Sequence, residues 1–253
     1  MKKEQKNDCL KVGNGDKNMV FVHYFGGNAE SWQWLAEYLK NDFTCYLINL
    51  PGFGNTEPLD RISISAFAEN LEARIKALKL DTYILCGHSM GAKIVAYAAA
   101  RSKNPPQHLL LIAPSPPTVE KMPVEEKKRM LKHPDRQEAI TTVSNATVAA
   151  LNDELFQHAV ASQLEIDDKT WDWWLETGMN NDVSSHIKKG NTPTTIVCSQ
   201  DDPVIPMKWI EEEVKPYFND PKVVVLKKIG HLIPMEAPKE LADIIINTCK
   251  QVY

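Results

Sequence analysis

The sequence lacks the features of a membrane or secreted protein. No apolar run among its 253 residues reaches the ~20 residues that a membrane-spanning helix requires. Residues 1–8 are polar and charged, without the apolar stretch that a signal peptide contains. We therefore expect a cytoplasmic protein that makes no contact with a membrane.

Cysteine and metal-ligand motifs are scarce as well. The five cysteines are odd in number and widely spaced, and most of them stand within apolar, strand-like runs. No Cys-x-x-Cys pair and no His/Cys cluster has the spacing of a zinc site. This pattern predicts reduced thiols in the core rather than disulfides. We expect no metal and no other cofactor.

A basic surface is also missing. The chain has 29 Lys and Arg against 33 Asp and Glu, a formal net charge of −4, and no basic stripe with interleaved aromatic residues. This balance argues against a nucleic-acid partner. A small molecule is the better candidate for a partner, and the sequence leaves open whether the protein is a monomer or a homodimer.

What the sequence does contain is a regular alternation of apolar, strand-like runs with amphipathic helical runs. The strand-like runs are residues 19–23, 43–50, 82–86, 108–113, 194–198 and 222–226. This alternation predicts an α/β fold with a mainly parallel sheet, right-handed crossovers and helices on both faces. A Gly-Asn-Gly-Asp turn at residues 13–16 predicts a short hairpin before the first of these strands.

Residues 115–190 interrupt the alternation. This stretch is charged, contains several prolines and shows helical patterns but no convincing strand. We expect it to form a helical cap, inserted into a core of residues 1–114 and 191–253 and covering the strand ends. Trp171, Trp173 and Trp174 cannot all face one side of a helix. Trp171 and Trp174 are therefore candidates to line an apolar substrate pocket, with packing between cap and core as the simpler alternative.

Residues 86–92, Cys-Gly-His-Ser-Met-Gly-Ala, carry the clearest chemical signal. Ser89 is the centre of a Gly-x-Ser-x-Gly motif between a strand-like run and an Ala-rich helical run. This context predicts a nucleophile elbow, a sharp strand-to-helix turn that exposes the serine hydroxyl. The flanking Gly87 and Gly91 predict that neighbouring chain passes close by. The start of the helix would direct N–H groups towards an oxyanion.

A serine hydroxyl is a weak nucleophile, so it requires a base and a third group that orients the base. His231 is favoured among the seven histidines because it lies in a loop just after the last strand-like run. Asp202 follows the run at 194–198, and Pro203 is expected to make its loop rigid. Asp201 is the alternative carboxylate. The order Ser, Asp, His along the chain is that of the α/β-hydrolase triad.

Acyl transfer also needs two N–H groups that bind the oxyanion of the tetrahedral intermediate. The backbone N–H of Met90, directly after the serine, is the first candidate. The second candidate is the backbone N–H of Phe25, in the loop after the first strand-like run, where Gly26 and Gly27 allow tight folding. His23 and His88 are expected to be structural and to hydrogen-bond the turn backbone.

With these residues assembled, the chain from Met19 to its C-terminus resembles the α/β-hydrolase superfamily. His23-Tyr24-Phe25-Gly26-Gly27 is similar to its His-Gly-x-Gly-Gly oxyanion loop, residues 49–54 to its Asp-x-Pro-Gly-x-Gly turn, and Gly230-His231 with Glu236-Ala237-Pro238 to its histidine loop. The elbow looks like that of capped esterases and of cofactor-free perhydrolases. Two residues depart from the pattern. Tyr24 replaces a glycine, which places a phenol in the pocket or shifts the donor peptide, and Asn49 replaces an aspartate.

The resemblance implies a serine hydrolase that cleaves carboxylic esters of small molecules through an acyl-serine intermediate. Lactone or thioester hydrolysis, perhydrolysis and cleavage of activated carbon–carbon bonds use the same triad and are alternatives. A small-molecule receptor with residual hydrolysis is the alternative from another class, because the fold alone does not determine the function.

Overall fold

The computed structural model describes residues 8–187 and 190–250, which contain a seven-stranded sheet. The strands are β1 (Cys9–Val12), β2 (Lys17–Val22), β3 (Phe43–Ile48), β4 (Ile84–His88), β5 (His108–Ile112), β6 (Thr194–Ser199) and β7 (Lys222–Leu226). They lie in the order β1-β3-β2-β4-β5-β6-β7. Within the described residues, each neighbouring pair is parallel except β1 with β3. The predicted mainly parallel sheet is confirmed.

Eleven α-helical segments occur in the same described residues. In chain order they are α1 (Gln33–Leu39), α2 (Ile64–Ala77), α3 (Met90–Arg101), α4 (Val124–Met130), α5 (Arg136–Ala146), α6 (Asp153–Leu164), α7 (Asp168–Glu176), α8 (Ser184–Ile187), α9 (Met207–Trp209), α10 (Ile233–Glu236) and α11 (Pro238–Cys249). None of them combines the length and the apolar character that crossing a bilayer would require.

Helices cover both faces of the sheet. Successive residues of a strand point to opposite faces, and β2 shows the result. Val20 and Val22 belong to the hydrophobic cluster that contains the buried residues of α2 and α3. Met19 and Phe21 belong to the cluster that contains those of α1 and α11. Both faces are therefore buried, which explains why the strand sequences are continuously apolar.

The chain between β5 and β6, which we call the β5–β6 connection, contains α4 to α8 and no strand in its described residues. Apolar residues of α5 and α6 pack with Tyr24, Leu232 and, from α10, Met235 in a third, smaller cluster. Several hydrogen bonds join the connection to other parts of the chain. Among them, Asp167 N–H donates to the Gly52 carbonyl (2.8 Å) and Ser162 Oγ donates to the Gly26 carbonyl (2.7 Å).

The hairpin predicted before the first long strand is not formed. β1 pairs with β3 instead of β2, in antiparallel orientation. The glycines of the 13–16 turn serve a close passage against the chain that leads into β3. A Cβ on Gly13 would lie 2.6 Å from the Lys40 Cα, and Asn14 N–H donates to the Lys40 carbonyl (3.1 Å). The prediction was wrong because a turn motif shows where the chain bends and does not identify the partner strand.

Candidate active site

Ser89 occupies the turn between β4 and α3. Its φ of 54° and ψ of −118° lie in a region that residues other than glycine rarely adopt. Ser89 N–H donates to the Ile112 carbonyl at the end of β5 (2.9 Å), and α3 begins at the next residue, Met90. The sheet and the helix thus hold a strained turn in the form expected of a nucleophile elbow.

Both glycines of the motif are required by close backbone contacts. A Cβ on Gly87 would lie 2.6 Å from the Gly91 carbonyl oxygen, and a Cβ on Gly91 would lie 2.5 Å from the Val22 carbonyl oxygen. These separations are far inside van der Waals contact and involve backbone atoms that cannot rotate away. The sequence prediction that neighbouring chain passes close to the elbow is confirmed.

His231 and Asp202 reach Ser89 from two loops at the same edge of the sheet. Asp202 follows β6 and His231 follows β7. His231 Nε2 lies 2.9 Å from Ser89 Oγ, and His231 Nδ1 lies 2.9 Å from Asp202 Oδ2. All three residues are buried. The structure therefore joins the three sequence-predicted residues in one hydrogen-bonded chain.

The loop after β6 determines which aspartate faces the histidine. Asp202 Oδ1 accepts hydrogen bonds from the N–H groups of Val204 (2.8 Å) and Ile205 (2.9 Å), so Oδ2 is left to His231. Asp201 is exposed, and its Oδ2 accepts the Lys228 N–H (2.6 Å). The geometry thus places Asp202, and not the alternative Asp201, beside His231.

The charge of Asp202 sets the protonation behaviour of His231. Burial alone lowers the pKa of His231, but the nearby Asp202 carboxylate, through its charge and its hydrogen bond, raises that pKa above its usual value. Because an ionised carboxylate only accepts hydrogen bonds, Nδ1 carries the imidazole proton and Nε2 is free to accept one from Ser89.

Glu236 fixes the loop that carries His231. Its Oε2 accepts the N–H groups of Gly230 (2.7 Å), Val148 (2.9 Å) and Ala149 (2.8 Å), and its Oε1 accepts that of Leu232 (3.0 Å). His231 N–H itself donates to the Ala146 carbonyl (2.7 Å). The histidine loop is therefore bonded directly to the end of α5 in the β5–β6 connection.

His88, inside the elbow, supports the same loop through a hydrogen bond to its backbone. Its Nε2 lies 2.8 Å from the His231 carbonyl oxygen, to which it donates. Burial, followed by the proximity of His231, lowers the pKa of His88 well below its usual value, so the ring is neutral. This arrangement matches the structural role expected from the sequence.

His23 orients the loop that carries Phe25, the second predicted oxyanion donor. Its Nε2 accepts the Leu50 N–H (3.2 Å), so the proton resides on Nδ1, which donates to the Tyr24 carbonyl (2.9 Å). Burial lowers the pKa of His23 to about 4. Because C=O and N–H point in opposite directions across a trans peptide, this bond turns the Phe25 N–H away from His23.

In the described part of the chain, neither predicted oxyanion donor, Phe25 N–H nor Met90 N–H, forms a backbone hydrogen bond. Phe25 N–H has no partner among the backbone hydrogen bonds of the described residues. Met90 is the first residue of α3, where N–H groups have no acceptor within the helix. Phe25 lines the cavity, and Met90 directly follows Ser89, which lines the same cavity.

This cavity has a volume of about 460 Å³ and lies against Ser89 and His231. Its wall is mainly apolar and comes both from the core and from the β5–β6 connection. The apolar lining includes Phe25, Met122, Met130, Val143, Trp174 and Leu232. A cavity of this size and polarity suits a small organic molecule.

Tyr24 and Trp174, two of the three residues predicted to line a pocket, do line this cavity. The Tyr24 ring packs against His88 with centroids 5.0 Å apart, and its hydroxyl is buried without a hydrogen-bond partner. A Cβ on Gly27 would lie 2.5 Å from the Tyr24 ring. Because of this ring, only glycine fits at position 27.

Trp171 is not part of the cavity lining, so the prediction for this residue was wrong. Its ring lies between Phe25, with centroids 4.3 Å apart, and His133, on which it stacks at 4.4 Å. Its Nε1 donates to the Met130 carbonyl (2.8 Å). These contacts hold the Trp171 ring in a second layer behind Phe25, which is the packing role that the sequence offered as the alternative.

Glu120 is a cavity residue that the sequence analysis did not single out. It lies in the loop between β5 and α4, is buried, and lines the same cavity as Ser89 and His231. Its surroundings in the sequence, a charged stretch rich in proline, gave no sign of burial. In the described part of the chain, no three His, Cys, Asp or Glu side chains are grouped so as to hold a metal ion.

Comparisons with known proteins agree with this architecture. The model of a family described as the alpha/beta hydrolase family matches residues 19–244. An esterase from Exiguobacterium antarcticum is 15% identical and superimposes with a TM-score of 0.86 over 96% of this chain and 94% of its own. Similar in structure is a thermophilic esterase from Thermogutta terrifontis, which is 20% identical with a TM-score of 0.79 over 96% of this chain and 93% of its own. So is a bromoperoxidase from Bacillus anthracis, which is 18% identical with a TM-score of 0.86 over 96% of this chain and 94% of its own. The match over most of the sequence, together with the shared fold, shows that this chain belongs to the alpha/beta hydrolase family.

Proposed function

We propose that this protein is a serine hydrolase that cleaves carboxylic esters of small molecules. The observation that carries the proposal is the hydrogen-bonded chain from Asp202 through His231 to Ser89 at the wall of a cavity. A nucleophile, a base and an orienting carboxylate in this relation are the parts that acyl transfer requires. The two esterases among the similar structures support an ester as the substrate.

In the first half of the reaction, Ser89 Oγ attacks the ester carbonyl carbon while its proton moves to His231 Nε2. Asp202 stabilises the resulting imidazolium, in keeping with its raising of the His231 pKa. The carbonyl oxygen becomes an oxyanion and accepts hydrogen bonds from the backbone N–H groups of Phe25 and Met90. The carbon–oxygen bond to the alcohol then breaks, and His231 returns the proton to the leaving oxygen.

In the second half, a water molecule attacks the carbonyl of the acyl-serine. His231 takes one proton from this water, and the same N–H groups bind the second oxyanion. When the bond to Ser89 Oγ breaks, the proton passes back to the serine and the carboxylic acid leaves. Ser89, His231 and Asp202 are then in their starting states.

We further propose that residues 115–190 act as a cap over a core of residues 1–114 and 191–253. Support comes from the cavity wall, since Met122, Val143 and Trp174 belong to this stretch whereas Ser89 and His231 belong to the core. Such a cap separates the cavity from bulk solvent, while single water molecules still reach the acyl-serine, and it selects substrates by size.

The test is hydrolysis of p-nitrophenyl esters, from acetate to laurate, by the wild type and by Ser89→Ala. The wild type should turn over at least one of these esters many times, and the variant should lose about 10⁴-fold or more in kcat. The matched control is Ser65→Ala, which removes a serine hydroxyl that does not line the cavity. Circular dichroism establishes that each variant is folded.

A fluorophosphonate probe provides a second readout that does not depend on the choice of ester. Mass spectrometry should find the probe on Ser89 in the wild type and nowhere in Ser89→Ala. If folded wild type neither turns over any ester nor reacts with the probe, the proposal is refuted. A single slow turnover followed by a stalled acyl-serine would instead favour the receptor alternative.

A further inference from the structure

Glu120 lines the cavity that contains Ser89, and its buried carboxylate has an incomplete set of hydrogen-bond donors. The residue is 7% exposed, and its Oε2 has no hydrogen-bond partner in the structure. Buried polar atoms are nearly always hydrogen-bonded, because an unmatched acceptor loses its hydration without compensation. A buried carboxylate with too few donors, in the lining of a cavity that contains a nucleophile, therefore suits a ligand group that donates a hydrogen bond.

The protein holds Glu120 firmly in this position. Its backbone N–H donates to the Met179 carbonyl (2.8 Å), which anchors the loop on the chain beyond α7. Burial raises the pKa of Glu120 above its usual value, and the Ser115 hydroxyl and the Lys93 ammonium act in the opposite direction. The backbone of Glu120 is thus anchored, and its side chain is buried rather than turned towards water.

Lys93 does not complete the hydrogen bonding of Glu120. This lysine of α3 is almost fully buried, and its Nζ donates to the Thr118 carbonyl (2.9 Å). No ion pair between Lys93 and Glu120 is formed in the described residues. Its positive charge nevertheless offsets part of the cost of burying the carboxylate.

The second carboxylate of the cavity lining, Glu126, has hydrogen-bond donors for both of its oxygens. Its Oε2 accepts Arg129 Nε (3.1 Å), and its Oε1 accepts from the same guanidinium group. Both oxygens of Glu126 are therefore engaged by a neighbour on its own helix. Of the two carboxylates in the lining, only Glu120 has an oxygen without a donor.

We propose that Glu120 is a substrate-binding residue that accepts a hydrogen bond from a hydroxyl or ammonium group carried by the ester. The proposal rests on the ester-hydrolase function and makes it more specific. A hydrocarbon ester would bury the Glu120 oxygen without a donor, whereas an ester with a donor group would complete it. The substrate class is thus an ester that carries a hydrogen-bond donor: Ser89 attacks its carbonyl carbon, and Glu120 accepts a hydrogen bond from its donor group.

Pairs of esters that differ only in the donor test this proposal. On the acyl side, p-nitrophenyl β-hydroxybutyrate is compared with p-nitrophenyl isovalerate, in which a methyl replaces the hydroxyl. On the alcohol side, hydroxyethyl and aminoethyl butyrate are compared with propyl butyrate. In at least one pair the wild type should show kcat/KM about 10-fold or more higher for the donor ester. The pair that responds identifies the donor and its side of the ester.

Variants of the two glutamates assign the preference to one side chain. Glu120→Leu should bring the ratio of the two kcat/KM values to about one, and Glu120→Gln, which keeps an acceptor oxygen, should retain part of a preference for hydroxyl. Glu126→Gln is the matched control and should leave the ratio as in the wild type. The ratio is measured within each protein, so a partly inactive preparation does not distort it.

Two results would overturn the proposal. One is equal treatment of every pair by the wild type, and the other is an unchanged preference in Glu120→Leu. Calorimetric titration of Ser89→Ala with the same pairs measures binding without turnover, so the proposal is tested even if no ester is hydrolysed. Equal affinities within every pair would then refute the role of Glu120, while absent hydrolysis with unequal affinities would refute only the ester-hydrolase function.

Discussion

Replacing Asp202 with asparagine should disable His231 while leaving its position unchanged. Asp202 Oδ1 accepts the N–H groups of Val204 and Ile205, and the amide oxygen of an asparagine would accept the same two bonds. The amide NH₂ would then face His231 Nδ1 and donate to it, which moves the imidazole proton to Nε2. In that tautomer His231 donates a hydrogen bond to Ser89 and cannot take its proton.

The expected loss in kcat is about 10⁴-fold, the effect that a wrong histidine tautomer has in a serine protease. This factor corresponds to about 5.4 kcal/mol of transition-state stabilisation. Since both backbone bonds to the loop are retained, the thermal unfolding midpoint should stay within about 4 °C of the wild type. The substitution thus separates a catalytic defect from a folding defect.

The assay is the initial rate on the best p-nitrophenyl ester, with Asp201→Asn as the matched control. Asp201 accepts a backbone N–H from Lys228 and makes no hydrogen bond to His231. The control should therefore keep activity close to that of the wild type. If folded Asp202→Asn keeps more than a tenth of the wild-type kcat, or if Asp201→Asn loses as much, the tautomer argument is refuted.

Three further predictions concern His231, Gly91 and Tyr24. Burial lowers the pKa of His231, but Asp202 raises it above that of an ordinary histidine, and the base must be neutral to accept a proton. The value of kcat/KM should therefore fall as the pH drops through this raised pKa, and a pH–rate profile without such an acid limb would contradict this. Gly91→Ala places a Cβ 2.5 Å from the Val22 carbonyl oxygen and should cost about 3 kcal/mol in urea unfolding, a loss that an unchanged midpoint would disprove. Tyr24→Phe removes a buried hydroxyl without a partner, so the melting temperature should stay the same or rise, and a clear fall would show that the hydroxyl is hydrogen-bonded.

The positions of Ser89, Asp202 and His231 could be predicted from the sequence because each lies within five residues of the end of a strand-like run. In a parallel sheet the carboxyl ends of all strands meet at one edge, so residues far apart in the chain come together there. The elbow added a second constraint, since Gly87 and Gly91 are readable as places of close backbone contact. These features depend on local patterns, which a single sequence displays.

Other features depend on contacts that no local pattern encodes. Trp171 and Trp174 belong to the same short helix, and only the rotation of α7 against Phe25 decides which ring faces the cavity. The pairing of β1 with β3 depends on which strand offers a free edge. The sequence around Glu120 indicates a charged surface residue, and only the structure shows that the side chain is buried and that its Oε2 lacks a donor.

The bonds made by Glu236 have a consequence for building chimeric enzymes. Its carboxylate holds the N–H groups of Val148 and Ala149 on one side and those of Gly230 and Leu232 on the other, and Ala146 accepts the N–H of His231. A graft that exchanged the whole β5–β6 connection for a foreign one would thus also remove the supports of the base. Specificity and catalytic competence are not independent modules in this chain. A transplant designed to change the pocket alone must leave residues 146–149 in place.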